Sequence, residues 1–186
     1  MTTETTPEAI HSKCDRMFAL LDVDGNGHID QEDIDLMAGK ILQGSQVPLD
    51  SAKATQVKAE YAAWWRALAA HADADGDGRI TRDEFRASMS GLAPDDPAIR
   101  DSVRGAVDAA FTAMDADDDG QIPVATLVAM FTTGGVAPED AVEAARFLDR
   151  DGDGTITRDE YATAWLDYFT TIDPAAPANH ILGRIG

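Results

Sequence analysis

Apolar residues fall at spacings of three and four along most of the chain, and the stretches come in couples. Met17, Phe18 and Leu21 form one stretch, and Ile34, Leu36, Met37 and Ile41 the next. Trp64, Trp65 and Leu68 are followed by Phe85 and Met89, and Phe111 and Met114 by Leu127, Val128 and Phe131. Phe147 and Leu148 are followed by Tyr161, Trp165, Tyr168 and Phe169. Such spacing collects apolar side chains on one face of a helix. Between the two members of each couple lies a polar segment containing glycine. The repeating unit is helix, loop, helix, four times over. Each polar segment holds one isoleucine: Ile29, Ile80, Ile122 and Ile156. In every segment it stands at the eighth position, and a β-branched apolar residue there suits a short strand with its side chain in the core. The pattern predicts an all-α fold of four units in two pairs, with short two-stranded β pairing between loops, first with second and third with fourth.

Breaks in the pattern suggest the organisation. Gly91-Leu92-Ala93-Pro94-Asp95-Asp96-Pro97 divides the chain. We expect an N-terminal pair over 1–91, a C-terminal pair over 98–172 and a tail over 173–186 packing on the body. The tail carries Ile181, Leu182 and Ile185 after Pro174 and Pro177. Gly134-Gly135 and Pro138 separate the third unit from the fourth, and Pro138 suits a first helical turn. The first two loops lie further apart than the last two. The extra residues fall between Gly44 and Tyr61, which predicts longer helices or a looser connection there.

The polar segments carry the chemistry. Asp73 to Glu84 and Asp149 to Glu160 fit D-x-[DN]-x-[DN]-G-x₅-E at every specified position. Calcium takes six to eight oxygen ligands. Short side chains at positions 1, 3 and 5 supply some: Asp73, Asp75 and Asp77, or Asp149, Asp151 and Asp153. Glycine at position 6, Gly78 or Gly154, permits the sharp turn. Position 7 ligates through its backbone carbonyl, so its side chain is free to vary; Arg79 and Thr155 stand there. Glu84 and Glu160 close the shell with two oxygens each. Capped turns alone need one acid, not three at alternate positions ahead of a glycine. The segments Thr81 to Glu84 and Thr157 to Glu160 also read as capping boxes for the following helices.

The other two loops depart from this pattern. Loop one has Asp22, Asp24, Asn26, Gly27, then His28 at position 7 and Asp30 at position 9, but ends in Asp33. Aspartate is one methylene short and reaches the ion with both oxygens only if the loop contracts. One oxygen lowers the coordination number towards the octahedral shell of magnesium. We expect metal here, with a weaker preference for calcium over magnesium. Loop three keeps Asp115, Asp117, Asp119 and Gly120 but has Pro123 at position 9 and Thr126 at position 12. Half a shell remains, so no tight calcium site is expected, and Ile122 keeps the unit as scaffold partner of loop four.

Composition narrows the function. A formal charge of −19 on 186 residues repels phosphate backbones and anionic lipid, so neither nucleic acid nor membrane is an expected partner. The single cysteine, Cys14, permits no intrachain disulfide and reads as core filler. Met1 to Glu8 lacks the basic and apolar regions of a signal peptide, and no apolar run suits a membrane span, so a cytoplasmic location is expected. His11, His28, His71 and His180 show no zinc-like spacing. No nucleophile elbow or phosphate-cradling loop is present, so an enzyme is not expected. Trp64, Trp65 and Trp165 could line a ligand cavity, but helix core is the favoured reading.

These loops resemble those of the four-EF-hand proteins, and among them calerythrin and the sarcoplasmic calcium-binding proteins. The resemblance rests on four loops with one degenerate, the insertion between loops one and two, Asp33 and the apolar tail. It implies a compact cytosolic calcium protein with two EF-hand pairs packed face to face, and calerythrin-like members are bacterial. Two functions follow: a monomeric calcium buffer or transporter with about three calcium sites (loops one, two and four), or a sensor that exposes an apolar groove to a protein target. Thinly spread methionines and an apolar tail able to cover a groove favour the buffer.

Overall fold

A computed structural model describes residues 7–89, 97–133 and 136–170. The predicted tail at 173–186 and most of the break around Pro94 lie outside the described residues. Within them the order is α1 (Pro7–Leu21), β1 (His28–Ile29), α2 (Gln31–Gly44), α3 (Ala52–Ala72), β2 (Ile80–Thr81) and α4 (Arg82–Met89). Then follow α5 (Pro97–Met114), β3 (Gln121–Pro123), α6 (Val124–Thr133), α7 (Pro138–Leu148), β4 (Thr155–Thr157) and α8 (Arg158–Thr170). The strands pair antiparallel, β1 with β2 and β3 with β4, with Ile29 opposite Ile80 and Ile122 opposite Ile156. All four isoleucines are fully buried. Each strand pair therefore ties two loops together through side chains that water cannot reach. The all-α class, the four units and the loop pairing are as the sequence predicts.

The insertion becomes both a long helix and a turn. Helix α2 ends at Ser45, and Gln46 adopts a left-handed conformation (φ 57°) that returns the chain. The Val47 amide then donates to the Leu42 carbonyl. Ser51 caps α3, accepting from the Ala54 amide, and α3 runs 21 residues to Ala72. One apolar assignment fails. Leu36 stands 40% exposed, while Ile34, Ala38 and Leu42 are buried. At about 100° per residue, two steps from Ile34 carry Leu36 to the far side of the helix.

Two cores form. The first gathers Phe18, Ile34, Leu42, Tyr61, Trp65, Leu68 and Phe85, and the second Phe111, Met114, Leu127, Leu148, Tyr161 and Tyr168. They meet at α3 and α5, which pack more extensively than any other pair of helices. Ala109 and Ala113 of α5 belong to the first core, and Gly105 lies beside Trp64 with room for a methyl group in ordinary van der Waals contact. Burial pushes the Tyr61 and Tyr161 hydroxyls up in pKa, and for Tyr61 the nearness of Tyr161 and Glu60 adds to the shift. Trp64 and Trp65 are core residues, as the sequence favours, and Trp165 is partly buried between Tyr161 and Tyr168. Cys14 is buried.

A second repeat operates beneath the loops. Arg82 lies over the Phe18 ring at 4.7 Å and pairs with Asp15 at 3.3 Å. Arg158 lies over the Phe111 ring at 4.4 Å and pairs with Asp108 at 3.4 Å. In each half the arginine that follows the even loop's strand clamps the entering helix of the odd unit. Arg86 adds two bonds to the Asp15 carboxylate and holds it below the usual carboxylate range.

Candidate metal centres

The four loops share one internal hydrogen-bond plan. One oxygen of the position-1 aspartate accepts the amide of the glycine at position 6: Gly27 to Asp22, Gly78 to Asp73, Gly120 to Asp115 and Gly154 to Asp149, all at 3.0–3.1 Å. The position-5 side chain accepts the amide at position 7: His28 to Asn26, Arg79 to Asp77, Gln121 to Asp119 and Thr155 to Asp153, at 2.8–2.9 Å. The glycines of position 6 have φ between 83° and 91°, a region that other residues enter at a cost. The backbone is folded inward, and the carboxylates are presented on its concave side.

The acid at position 12 is a hub. In loop two one Glu84 oxygen accepts the Ala74 amide and the other the Thr81 amide and hydroxyl. In loop four one Glu160 oxygen accepts the Arg150 amide and the other the Thr157 amide and hydroxyl. These bonds span the loop from position 2 to position 9. The Thr81 bonds, backbone first, hold the Glu84 carboxyl below the usual carboxylate range, and the Thr155 hydroxyl and amide do the same for Asp153. At Glu160 burial pushes the other way, but the Thr157 and Arg150 bonds prevail. Such bonding favours the charged form, so these acids are ionised at neutral pH.

Loop one reaches the same closure with a shorter side chain. Asp33 is fully buried, where Glu84 and Glu160 are half-buried. One Asp33 oxygen accepts both the Val23 and the Asp24 amides, at 2.7 and 3.1 Å, and the other accepts the Asp30 amide. Asp30 directs one oxygen to the Glu32 amide and caps α2, so that oxygen is engaged with the helix rather than with the loop interior. The His28 Nδ1 is buried without a hydrogen-bond partner, a feature that the position-7 reading does not anticipate.

Carboxylates converge in every loop. Asp22, Asp24 and Asp33; Asp73, Asp75 and Glu84; Asp115, Asp117 and Asp119; and Asp149, Asp151 and Glu160 each bring oxygens within 4.8 Å of one another. One oxygen of Asp22 is buried without a hydrogen-bond partner. A buried oxygen with no hydrogen-bond partner beside two other acids suits a cation as its partner. Donors that are all oxygen fit calcium or magnesium. Loop three differs on its rim. Position 4, glycine in the other loops, is Asp118 with a left-handed backbone (φ 59°). Lys53 of α3 pairs with Asp118 at 2.8 Å and donates to the Asp115 carbonyl. Spacing gives no hint of this contact across the two halves. Its one sequence signal is the missing glycine.

Comparison with known proteins agrees with the geometry. Residues 12–90 match the model of an EF-hand domain pair and residues 146–164 that of a single EF hand. A calcium-binding protein of Streptomyces coelicolor superimposes with a TM-score of 0.76 at 34% identity, over 88% of this chain and 99% of that one.

The chain belongs to the EF-hand family.

Within the EF-hand proteins it is similar to calerythrin and shares the fold of a sarcoplasmic calcium-binding protein. Calerythrin of Saccharopolyspora erythraea is 28% identical over 90% of this chain and 94% of its own length. A sarcoplasmic calcium-binding protein from amphioxus shares the fold, with a TM-score of 0.72 at 18% identity over 96% of this chain and 98% of that one. This EF-hand protein is a calcium-binding protein with bacterial homologues. Among the described residues no helix is long and apolar enough to cross a membrane.

Proposed function

We propose that this EF-hand protein is a cytoplasmic calcium buffer or transporter that holds calcium through loops one, two and four. The observation that carries the count is the hub at position 12. Asp33, Glu84 and Glu160 each bridge their loop and join its acid group, while Thr126 has no carboxylate to do so. In loop two the ligands are Asp73, Asp75, Asp77, the Arg79 carbonyl and Glu84. In loop four they are Asp149, Asp151, Asp153, the Thr155 carbonyl and Glu160. In loop one they are Asp22, Asp24, Asn26, the His28 carbonyl and Asp33, and the short Asp33 opens that loop to magnesium. The buffer reading is supported by the way the halves spend their apolar faces on one another at α3 and α5. A sensor would have to break that contact to expose a groove of comparable size.

Calorimetric titration tests the count. Three calcium ions are expected to bind tightly, and millimolar magnesium should weaken the apparent affinity of one of them. Four tight ions, or two, refute the assignment. Restoring the longer acid with Asp33→Glu should raise the preference of loop one for calcium over magnesium by about tenfold, read in the same competition.

The sensor reading has its own observation. An open groove on the outer face of α2 is lined by Leu36, Val47, Pro48 and Leu49, with Leu49 60% exposed. The Streptomyces coelicolor relative is described in connection with prokaryotic calcium-mediated regulation. Binding of an apolar dye distinguishes the two: a buffer shows little change between its magnesium and calcium forms, and a sensor a large rise.

A further inference from the structure

The position of Lys53 is electrostatically odd. It is the second residue of α3, where the positive end of the helix dipole disfavours a cation. Its side chain is nevertheless largely covered, 17% exposed. The ammonium lies against the third loop, bound to the Asp118 carboxylate and the Asp115 carbonyl. Asp115 directly follows Met114, the last residue of α5, so its carbonyl belongs to the negative end of that helix. The neighbouring charge is large, since Asp115, Asp117, Asp118 and Asp119 crowd one short segment. Asp115 is itself buried, at 3% exposure, while Asp22, Asp73 and Asp149 at the same position are half-buried.

We propose that Lys53 is the resident cation of the third loop. It supplies in fixed form part of the charge that an ion supplies elsewhere, sets the calcium affinity of this loop low, and keeps its shape without metal so that β3 can still pair with β4. The Asp115 and Asp119 carboxylates remain bonded to the Gly120 and Gln121 amides, as in the other loops, so the loop is already closed. A calcium ion approaching it meets a positive charge, whereas among the described residues no ion pair stands at this place in the other loops, where position 4 is glycine. The unusual Asp118 follows from the same arrangement. Aspartate at position 4 bears the left-handed backbone less easily than glycine, but its carboxylate anchors the lysine. The contact also runs between halves, because α3 leads into loop two while Asp115 and Asp118 belong to loop three.

The assignment rests on the reading of loop three as lacking a tight calcium site. The Gly120 amide bonds to Asp115, so its resonance reports on this loop. Calcium is titrated into the full chain and into Lys53→Met, Lys53→Gln and Lys53→Arg. Removing the charge should lower the calcium midpoint at Gly120 by about tenfold in the Met and Gln variants. Lys53→Arg should match the wild type. Lys53→Gln keeps a donor for the Asp115 carbonyl and carries the test if Lys53→Met does not fold. Equal midpoints in the wild type and the neutral variants refute the role of Lys53 alone. A fourth tight calcium in the calorimetric titration of the wild type refutes the three-site count, and the role of Lys53 with it.

Discussion

Stripping calcium with a chelator lowers the melting temperature by tens of degrees and leaves a loosened, partly molten chain. Three or more carboxylates converge within 4.8 Å in each loop, on a chain whose formal charge is already −19. Without cations that repulsion acts on the folded state far more than on the extended one. With cations the sign reverses. A ligand that binds only the native state at about 1,000 times its dissociation constant adds about 4 kcal/mol per site. Three such sites add on the order of 12 kcal/mol, comparable with the whole stability of an ordinary domain. At about 2–4 °C per kcal/mol for a chain of this size, a shift on the order of 30 °C follows. The strands make the loss cooperative, because Ile29 and Ile80, like Ile122 and Ile156, are buried against each other across paired loops. Calorimetric melting with and without chelator measures it. A melting temperature indifferent to chelator would contradict both the sites and this account of stability.

Glu84→Gln removes calcium from loop two with little change of shape. Glutamine keeps one oxygen for the Thr81 amide and hydroxyl, so the closure at position 9 survives. It loses a charge and the second ligating oxygen, and its amide group faces the Ala74 amide that Glu84 now accepts from. Altering groups outside the ligand shell already costs metal affinity about 10- to 100-fold, so loss of a bidentate ligand should cost at least about 100-fold, near 2.7 kcal/mol. A smaller weakening should appear in loop one through the Ile29–Ile80 pair. Glu160→Gln should behave likewise in loop four. Glu84→Asp copies the ending of loop one and should shift loop two towards magnesium instead of abolishing it. An isotherm of Glu84→Gln that still shows three tight ions would remove position 12 from the ligand set.

The clustering of acids in each loop is legible in the sequence because the residues that converge lie close along the chain. Positions 1, 3, 5 and 12 are set by the turn of one short segment, whatever surrounds it. The hydrogen bonds that hold these acids arise within the same twelve residues, which is why four loops of different quality keep one plan. Pairing of the loops is legible through the isoleucine at the eighth position of each, since a β-branched apolar residue recurring there suits a strand that buries it against a neighbour. Leu36 does not share the face of Ile34, because two residues at about 100° each place it on the far side of α2.

Other features depended on residues that meet only when the halves pack. Nothing local to Lys53 points to Asp118, and nothing local to Arg158 points to Asp108 or the Phe111 ring. Small residues on α5 read as ordinary helix until Ala109 and Ala113 are seen to join the core of the other half. By itself, then, the sequence determined the fold class, the four units, the partner of each loop and the kind of ion, because each follows from short-range geometry and charge. Only the tertiary structure decided how the apolar faces are shared between α3 and α5, and which cation stands beside the third loop, because those depend on contacts between segments distant along the chain.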